Sequence, residues 1–190
     1  MPPRLLPGER VAHAWAIEPI VTPRLMLRPV GVDDISAAYL DGLNDPDVVR
    51  WTEARHVVWT RERAAEWIER SNVPGVSLLL GWFVRGSGKH IGNIRLFNMH
   101  PLHRRAELSL IVFDKTEWSK GYATEAVTAV TAYAFATLAL HRIHADYYAG
   151  NAASARVFAK AGYEIEGVYR DHVVVDGAYM DSIRAAKLNR

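Results

Sequence analysis

The sequence predicts an α+β fold: a mixed, mostly antiparallel sheet of about seven strands with flanking helices. Hydrophobic patterns predict elements in the order β-α-α-β-β-β-α-β-α-β-β, which is typical of this class. Turn signals at Gly86-Ser87-Gly88 and Asp176-Gly177 join neighbouring strands as hairpins. For a chain of 190 residues one domain is the natural count. We expect residues 1–21 to form an N-terminal extension and residues 22–190 to form that domain.

The composition suits a chain with a sizeable hydrophobic core, because 49% of its residues are hydrophobic. The net charge of +2 gives no support for a nucleic-acid partner, since acidic and basic residues are mixed along the chain. No apolar run approaches the ~20 residues that span a bilayer, and the N-terminus lacks the apolar middle of a signal peptide. Because cysteine is also absent, we expect a cytoplasmic protein without membrane or nucleic-acid partners.

The first half of the chain is predicted to contain one strand and two helices. Alternating apolar residues predict the first strand at residues 22–30. Asp33 or Asp34 is predicted to cap the first helix, which ends near Asn44. The second helix is predicted at residues 60–70, with Thr60 as its N-cap.

Residues 47–59, between these helices, carry two tryptophans, Trp51 and Trp59, among charges of both signs. The stretch is predicted to be a loop that faces a substrate. The alternative is that both indoles pack on the sheet, since large aromatic side chains usually serve the core. The sequence leaves both interpretations open.

The remaining elements form a meander, a central helix and a final hairpin. The meander is predicted at residues 78–85, 90–97 and 105–113. After the central helix, at about residues 122–138, come a strand, a short helix, a strand and a hairpin, at residues 141–148, 152–161, 163–170, 173–175 and 180–188. Gly162 marks the end of the short helix.

A candidate anion site lies where the central helix begins, in the stretch Trp118-Ser119-Lys120-Gly121-Tyr122-Ala123-Thr124-Glu125-Ala126. The first amides of a helix have no intrahelical partner, and they lie at the positive end of the helix dipole. Gly121 lets the backbone approach a pyrophosphate closely. A plain turn before a helix is the alternative interpretation.

Two further features stand in a fixed order around this stretch. Glu107 lies in the preceding strand, and the segment NAASARVFAKAGY begins at Asn151. Together with WSKGYATEA they resemble the GNAT superfamily of acyl-CoA-dependent N-acetyltransferases, and the nearest branch looks like RimJ/RimL. The resemblance runs from about Thr22 to Leu188, nearly the whole chain, and implies the GNAT fold with its fourth and fifth strands splayed apart.

The resemblance also implies acetyl-CoA as the acyl donor, with its pantetheine arm between the splayed strands. The main chain of Leu110, Ile111, Val112 and Phe113 would bind that arm. The pyrophosphate would lie on the amides of residues 119–123, with Lys120 as a nearby cation. The full set implied in the loop and short helix is Trp118, Ser119, Lys120, Gly121, Tyr122, Ala123, Thr124, Asn151, Phe158 and Lys160. Trp118 stands where the family usually has Gln or Arg, and Ser119 stands where it usually has Gly. The resemblance therefore implies the main-chain amide contacts with the phosphates, but not the usual side-chain contact.

Catalysis needs a base for the amine and a group that stabilises the departing thiolate. Glu107 is the predicted general base, because a carboxyl in a partly dry cleft can have a raised pKa and take a proton through water. The alternative is a solvated strand residue. Asn151 would bind pantetheine, and Ser154 would protonate the thiolate, since Phe158 stands where many GNAT enzymes have a tyrosine. The alternative is a purely structural role, with Asn151 as a helix N-cap and Ser154 as a hydroxyl in the first turn of the helix.

A metal site is not expected, although the chain has eight histidines. His141 and His144 lie three apart on a predicted strand and face opposite sides, and His100 and His103 lie in a predicted loop without further ligands. The predicted function is therefore direct acetyl transfer from acetyl-CoA to a primary amine, by a chain that could pair as a homodimer. The alternative is a non-catalytic acyl-CoA-binding or regulatory module on the same fold.

Two kinds of amine acceptor remain open. A peptide or protein N-terminus would need carboxylates such as Glu53 or Asp171 near the incoming ammonium. An amino sugar carried on a nucleotide would suit Arg50 and Arg55, because guanidinium groups grip a diphosphate bidentately, and Trp51 or Trp59 could stack on a base or sugar.

Overall fold

The sheet has eight strands in the spatial order β1-β2-β3-β4-β5-β6-β8-β7, in a computed structural model that describes residues 17–190. The strands are β1 Ile20–Val21, β2 Leu25–Pro29, β3 Leu78–Val84, β4 His90–His100, β5 Arg105–Val112, β6 Arg142–Tyr148, β7 Glu164–Val175 and β8 Ala178–Leu188. The helices are α1 Ala37–Leu43, α2 Pro46–Val49, α3 Arg61–Ser71, α4 Tyr122–Ala136 and α5 Ala152–Lys160. The predicted α+β class is confirmed.

Only β5 and β6 pair in parallel, within the part of the chain that the structure describes; the other neighbouring strands are antiparallel. Their pairing covers Arg105 with Arg142, Ala106 with Ile143, and Glu107 with His144, and then stops. From Leu108 onward β5 keeps its antiparallel partner β4, while β6 keeps β8. The predicted splay is therefore present, and Glu107 lies at its apex.

Helices cover both faces of the sheet, and each face has its own core cluster. On one face, α4 and α5 pack on inward residues of the strands, for which the alternation of buried Leu25 and Leu27 in β2 is an example. On the other face, α1, α2 and α3 pack around buried Tyr39, Ile68 and Phe113. The two layers hold the central strands between them and leave the diverging ends of β5 and β6 open to ligands.

Helix α1 begins one turn later than the sequence indicated. Its N-cap is Ser36, whose hydroxyl accepts a hydrogen bond of 3.1 Å from the Tyr39 amide. The prediction that Asp33 or Asp34 caps this helix was wrong, because both belong to a preceding short 3₁₀ turn. The Asp34 carboxylate instead holds the Arg28 guanidinium at 2.6 Å and 2.8 Å.

Other local predictions are confirmed. Thr60 caps α3, with its hydroxyl accepting from the Arg63 amide. Gly162 follows α5 with a φ of 79°. Asp176 and Gly177 have φ values of 52° and 81°, as a type I′ hairpin turn requires.

The predicted strands at 163–170 and 173–175 are one continuous strand, β7. The register of β7 against β8 shifts between Tyr169 and Val173, and Asp171 adopts a φ of 50° there. A bulge therefore bends the strand without ending it, which a period-two pattern does not distinguish from a break.

The predicted extension partly joins the fold. Ile17 and Ile20 pack against the first core cluster, and Ile20–Val21 pair with β2. The remainder of the expected extension, residues 1–16, lies outside the described residues. Between residues 17 and 190, no helix is both long enough and apolar enough to span a membrane.

We expect Gly42→Ala to destabilise the fold. A Cβ at Gly42 in α1 would lie 2.6 Å from the Phe113 carbonyl oxygen and 2.7 Å from its Cβ. Overpacking of this kind costs about 1–3 kcal/mol, against at most about 1 kcal/mol gained by Ala in a helix. Thermal unfolding should show a Tm lowered by a few degrees. Gly167→Ala, where nothing lies within 4 Å of the new Cβ, is the control and should leave Tm nearly unchanged. A Tm for Gly42→Ala at or above the unsubstituted protein would contradict this packing of α1.

Candidate active site

Two cavities open where β5 and β6 diverge, with volumes of about 610 Å³ and 630 Å³. The first extends along the loop before α4 and the start of α5. The second extends across the sheet face towards α3 and β7. They share six lining residues: Trp51, Thr52, Leu110, Ile111, Asn151 and Ser154. A ligand in one cavity can therefore meet a ligand in the other at this shared boundary.

The loop before α4 presents a row of free amides to the first cavity. Ser119 and Gly121 have φ values of 62° and 83°, and Gly121 is the N-cap of α4. Within residues 17–190 the backbone N–H groups of residues 119–124 donate to no protein acceptor. Left-handed turns that point successive amides at one place form an anion-binding concavity. The free amides lie where the sequence predicts an anion site, and Gly121 leaves no Cβ among them. Anion binding itself stays a prediction.

Arg24 holds this loop to the edge of the sheet. Its Nε lies 2.6 Å from a Glu125 carboxylate oxygen, and its Nη1 donates to the Lys120 carbonyl at 2.8 Å. Burial favours a higher pKa for Glu125, but hydrogen bonds from Thr22 and Arg24 outweigh it and place that pKa below its ordinary value. The sequence analysis missed Arg24, because its partners lie about a hundred residues away in the chain.

Trp118 closes one side of the first cavity. Its indole Nε1 donates a hydrogen bond of 2.9 Å to the Val112 carbonyl, on the side of β5 that has lost its neighbour β6. Main-chain groups of alternate strand residues point to the same side, so those of Leu110 also face the opening. Leu110, Ile111 and Val112 line the first cavity. That their main chain holds pantetheine, as the family resemblance implies, stays a prediction.

Asn151 and Ser154 lie at the boundary between the two cavities. The Asn151 side chain is the N-cap of α5, and its Oδ1 accepts from the Ser154 amide at 3.0 Å. The capping interpretation of Asn151 is therefore correct as far as its oxygen is concerned, and its amide nitrogen remains for a ligand. The Ser154 hydroxyl donates to no other residue between 17 and 190, so it too remains for a ligand.

The predicted cofactor residues do not all line the first cavity. Lys160, Tyr122, Ala123 and Thr124 line the first cavity. Phe158 is buried, stacks on Tyr147 at 5.7 Å, and lines the second cavity instead. The Phe113 side chain turns into the second core cluster. Lys120 lines neither cavity, and it pairs at 2.9 Å with Glu117, which lines the first. Arg156, which the sequence analysis did not single out, lines the first cavity and adds a cation there.

The second cavity has largely aromatic and aliphatic walls. Trp59 and Trp67 meet edge to face at 5.9 Å, and Phe97 and Phe158 line it further along. Trp59 also packs against the second core cluster, while Trp51 lines both cavities. The two interpretations of residues 47–59 thus both apply: the stretch faces the cavities and also packs on the core. Its backbone is α2 and a 3₁₀ turn at Glu53–His56, not an irregular loop.

Glu107 lies on the same sheet face as the second cavity but does not line it. Burial raises the pKa of its carboxyl above the ordinary value, while a hydrogen bond of 3.2 Å from Asn98 opposes the increase. His144 lies 3.7 Å away, and burial lowers the pKa of its imidazole, which favours the neutral form. A raised pKa makes the Glu107 carboxyl a better proton acceptor than an ordinary glutamate, and the residue lies at the apex of the splay beside the second cavity.

A second carboxylate, Asp146, lines the cavity near Glu107 and was missed in the sequence. Arg184 grips it with two hydrogen bonds, of 2.8 Å and 2.6 Å. Both oxygens of the Asp146 carboxylate are therefore engaged by the guanidinium. Its proximity further raises the pKa of Glu107. The pair thus leaves Glu107 as the carboxyl better suited to proton transfer.

The residues suggested for acceptor binding have partners within the chain. Arg55 donates to the Thr52 carbonyl, the Tyr148 hydroxyl and the Val174 carbonyl, and Tyr148 also bonds to Glu53. Arg50 pairs with Asp176 at 3.1 Å. Glu53 lines the second cavity, whereas Asp171 lies in the β7 bulge outside it. No group of three metal-ligating side chains occurs between residues 17 and 190.

Comparison with known proteins agrees with this geometry. Residues 24–164 match the family model of the acetyltransferase (GNAT) domain. A probable N-acetyltransferase, YjcK of Bacillus subtilis, is 30% identical over 87% of this chain and 94% of its own. Spermidine N(1)-acetyltransferase of Escherichia coli is 28% identical over 53% of this chain and 54% of its own. The solved RimL ribosomal L7/L12 α-N-protein acetyltransferase in complex with coenzyme A has a TM-score of 0.82 at 17% identity, over 90% of this chain and 98% of that one.

We expect Gly121→Glu to abolish binding of coenzyme A. The substitution places a side chain and a negative charge among the free amides before α4, where phosphate charge would lie. Calorimetric titration of coenzyme A measures the effect. Gly75→Glu is the matched control, because Gly75 also has a positive φ, of 75°, and nothing lies within 4 Å of a new Cβ. Undiminished affinity of a folded Gly121→Glu protein would place the phosphates elsewhere.

Proposed function

The chain belongs to the GNAT acetyltransferase family, and we propose that it transfers an acetyl group from acetyl-CoA directly to the α-amine of an amino acid or peptide. The family supports acyl transfer to an amine. The observation that carries the proposal is the meeting of two cavities at Leu110, Asn151 and Ser154, beside the apex residue Glu107. One cavity takes the donor and the other takes the amine.

The chain offers the donor two kinds of contact. The free amides of residues 119–124 receive the pyrophosphate, and Arg156 and Lys160 add positive charge along the same cavity. The open side of β5 receives the pantetheine amides at Leu110. The fit depends on backbone groups, so the replacement of the usual family residues by Trp118 and Ser119 does not remove it.

The reaction joins the acceptor nitrogen to the acetyl carbon as the carbon–sulfur bond breaks. The ammonium form of the acceptor must first lose a proton, which Glu107 takes through water because it lies beside the cavity and not in its wall. Ser154 donates a hydrogen bond to the departing thiolate from the shared boundary. The nitrogen loses its second proton as the amide forms, and that proton goes to the departing thiolate. Glu107 acts through water and Ser154 acts on the thiolate directly, so no covalent intermediate on the protein is required.

The acceptor is better matched by an amino acid or peptide than by a nucleotide-linked amino sugar. Arg50 and Arg55, the arginines that would grip a diphosphate, are engaged with residues of the chain itself. Relatives act on several amines: one is named a [ribosomal protein uS5]-alanine N-acetyltransferase, and another a spermidine N(1)-acetyltransferase. The alternative remains a non-catalytic acyl-CoA-binding module, which would bind acetyl-CoA tightly and acetylate no acceptor.

We expect Glu107→Gln to lower kcat by ~10²–10⁴-fold with little change in the affinity for acetyl-CoA, since general base catalysis is lost. In the unsubstituted enzyme the acidic limb of kcat/KM should lie above the ordinary pKa of a glutamate, because burial raises the pKa of Glu107. Asn98→Ala removes the hydrogen bond that lowers this pKa, so it should move the limb to higher pH. If the acidic limb of the kcat/KM profile is unchanged in Glu107→Gln, measured where chemistry limits the rate, the limb belongs to another group. Asp146→Asn would then be the next variant.

We expect Ser154→Ala to lower kcat more mildly than Glu107→Gln, because one hydrogen bond to the thiolate is lost while the rest of the site remains. Ala153→Ser, which adds a hydroxyl one residue earlier in α5, is a control for changes in the helix. Release of coenzyme A, followed in single-turnover experiments, measures the chemical step. Equal single-turnover rates in Ser154→Ala and the unsubstituted enzyme would exclude Ser154 from the chemistry.

A further inference from the structure

We infer that the acceptor carries a carboxylate close to its amine, and that Arg95 binds this carboxylate in the second cavity. The inference rests on the proposed function and narrows its acceptors to amines that carry a carboxylate a few bonds away. The carboxylate has two sources with the same chemistry: the α-carboxylate of a free amino acid, or the side chain of an aspartate or glutamate at a peptide N-terminus.

Arg95 is a partly buried cation in a largely apolar cavity. Its Nε donates to the Ser77 hydroxyl at 2.8 Å, and its guanidinium lies 4.9 Å from the centre of the Phe97 ring. Within residues 17–190, no carboxylate oxygen lies within 4.0 Å of its nitrogens, and Nη1 and Nη2 donate to no protein acceptor. The two terminal nitrogens are the part of the fork that binds a carboxylate bidentately.

Two neighbouring arginines differ from Arg95 because their terminal nitrogens have partners within the chain. Arg184 holds Asp146 with two hydrogen bonds, and Arg55 is engaged by a hydroxyl and two carbonyls. Burial lowers the pKa of the Arg95 guanidinium, because a charged group that loses water without a contacting anion is destabilised, and the charge of the nearby Glu107 carboxylate opposes this only in part. The group nevertheless keeps its charge. An anionic ligand would repay this desolvation. Among the described residues that line the second cavity, Arg95 is the one arginine or lysine, so it is the position at which such a ligand gains most.

The position of Arg95 relative to Glu107 fits a single amino-acid residue. Arg95 pairs with Ser109 across β4 and β5, which makes Glu107 its diagonal neighbour on the same face. Diagonal neighbours lie roughly 7–8 Å apart, and their Cβ atoms lie somewhat closer. A carboxylate on Arg95 therefore leaves an amine a few bonds away within reach of the water that Glu107 activates. A polyamine would instead place an ammonium against the free guanidinium.

The first experiment compares matched acceptors with the unsubstituted enzyme. One series uses peptides amidated at the C-terminus that begin with aspartate or asparagine, and with glutamate or glutamine. The other uses leucine and leucinamide. Rates are expressed per unprotonated amine, because the amide lowers the pKa of the α-amine. In at least one series kcat/KM should be about 10- to 100-fold higher for the carboxylate member, the range expected for a charge-assisted bidentate contact. The series that shows the preference identifies the source of the carboxylate.

The second experiment uses variants. Arg95→Gln should reduce the preference to about two-fold or less, chiefly through KM, because the neutral glutamine side chain cannot form an ion pair with the acceptor's carboxylate. Arg95→Lys should keep part of it, since the charge remains while the fork is lost. Arg70→Gln is the matched control: it removes the same charge from an exposed position on α3 and should retain the full preference. Titration with acetyl-CoA shows in each case that the variant is folded.

The outcomes separate this inference from the proposed function. Equal kcat/KM for the members of every pair would overturn the role of Arg95 while leaving acetyl transfer to α-amines intact. A preference that survives in Arg95→Gln would assign the carboxylate to another residue and also overturn the inference. Turnover only with spermidine, or only with a nucleotide-linked amino sugar, would overturn the amino-acid or peptide assignment itself. Tight binding of acetyl-CoA without turnover of any amine would favour the non-catalytic module.

Discussion

The loss of main-chain pairing beyond Glu107 is the constraint on which the site depends. Backbone amides and carbonyls that leave water must find partners, and β5 beyond this point has a strand on only one side. The Trp118 indole satisfies one of these groups, at the Val112 carbonyl. The remaining groups around Leu110 face the first cavity. In the proposed function, an extended ligand with amides of its own supplies the hydrogen bonds that β6 does not. The end of the β5–β6 pairing is what leaves these main-chain groups open to a ligand.

Local patterns in the sequence predicted most of the fold because their causes are local. The Thr60 cap, the glycine after α5 and the Asp176-Gly177 turn each depend on residues within a few positions. Asp34 failed as a cap for the opposite reason. Its carboxylate is taken by Arg28, on the preceding strand, and a competing partner of this kind has no signature in the helix pattern.

The candidate site was predicted in part, and the missing residues share a property. The loop at Gly121 was identified from its glycine and from the helix that follows, and the family resemblance indicated Glu107. Arg24, Arg95 and Asp146 went unnoticed because each is an ordinary charged residue in a strand pattern. What distinguishes Arg24 and Asp146 is the partner that the sheet brings to each, and what distinguishes Arg95 is that no carboxylate among residues 17–190 contacts it. Such relations exist only after the strands have acquired their order and register.

Trp51 gives the two cavities a common wall, and its indole packs so closely on the turn before α5 that a Cβ at Gly150 would lie 2.8 Å from it. A ligand that moves this indole changes the shape of both cavities at once. Thermodynamic linkage makes the effect mutual: whatever factor the donor contributes to acceptor affinity, the acceptor contributes to donor affinity. In the proposed function, a donor that displaces the Trp51 side chain would therefore alter the acceptor's cavity as well as its own.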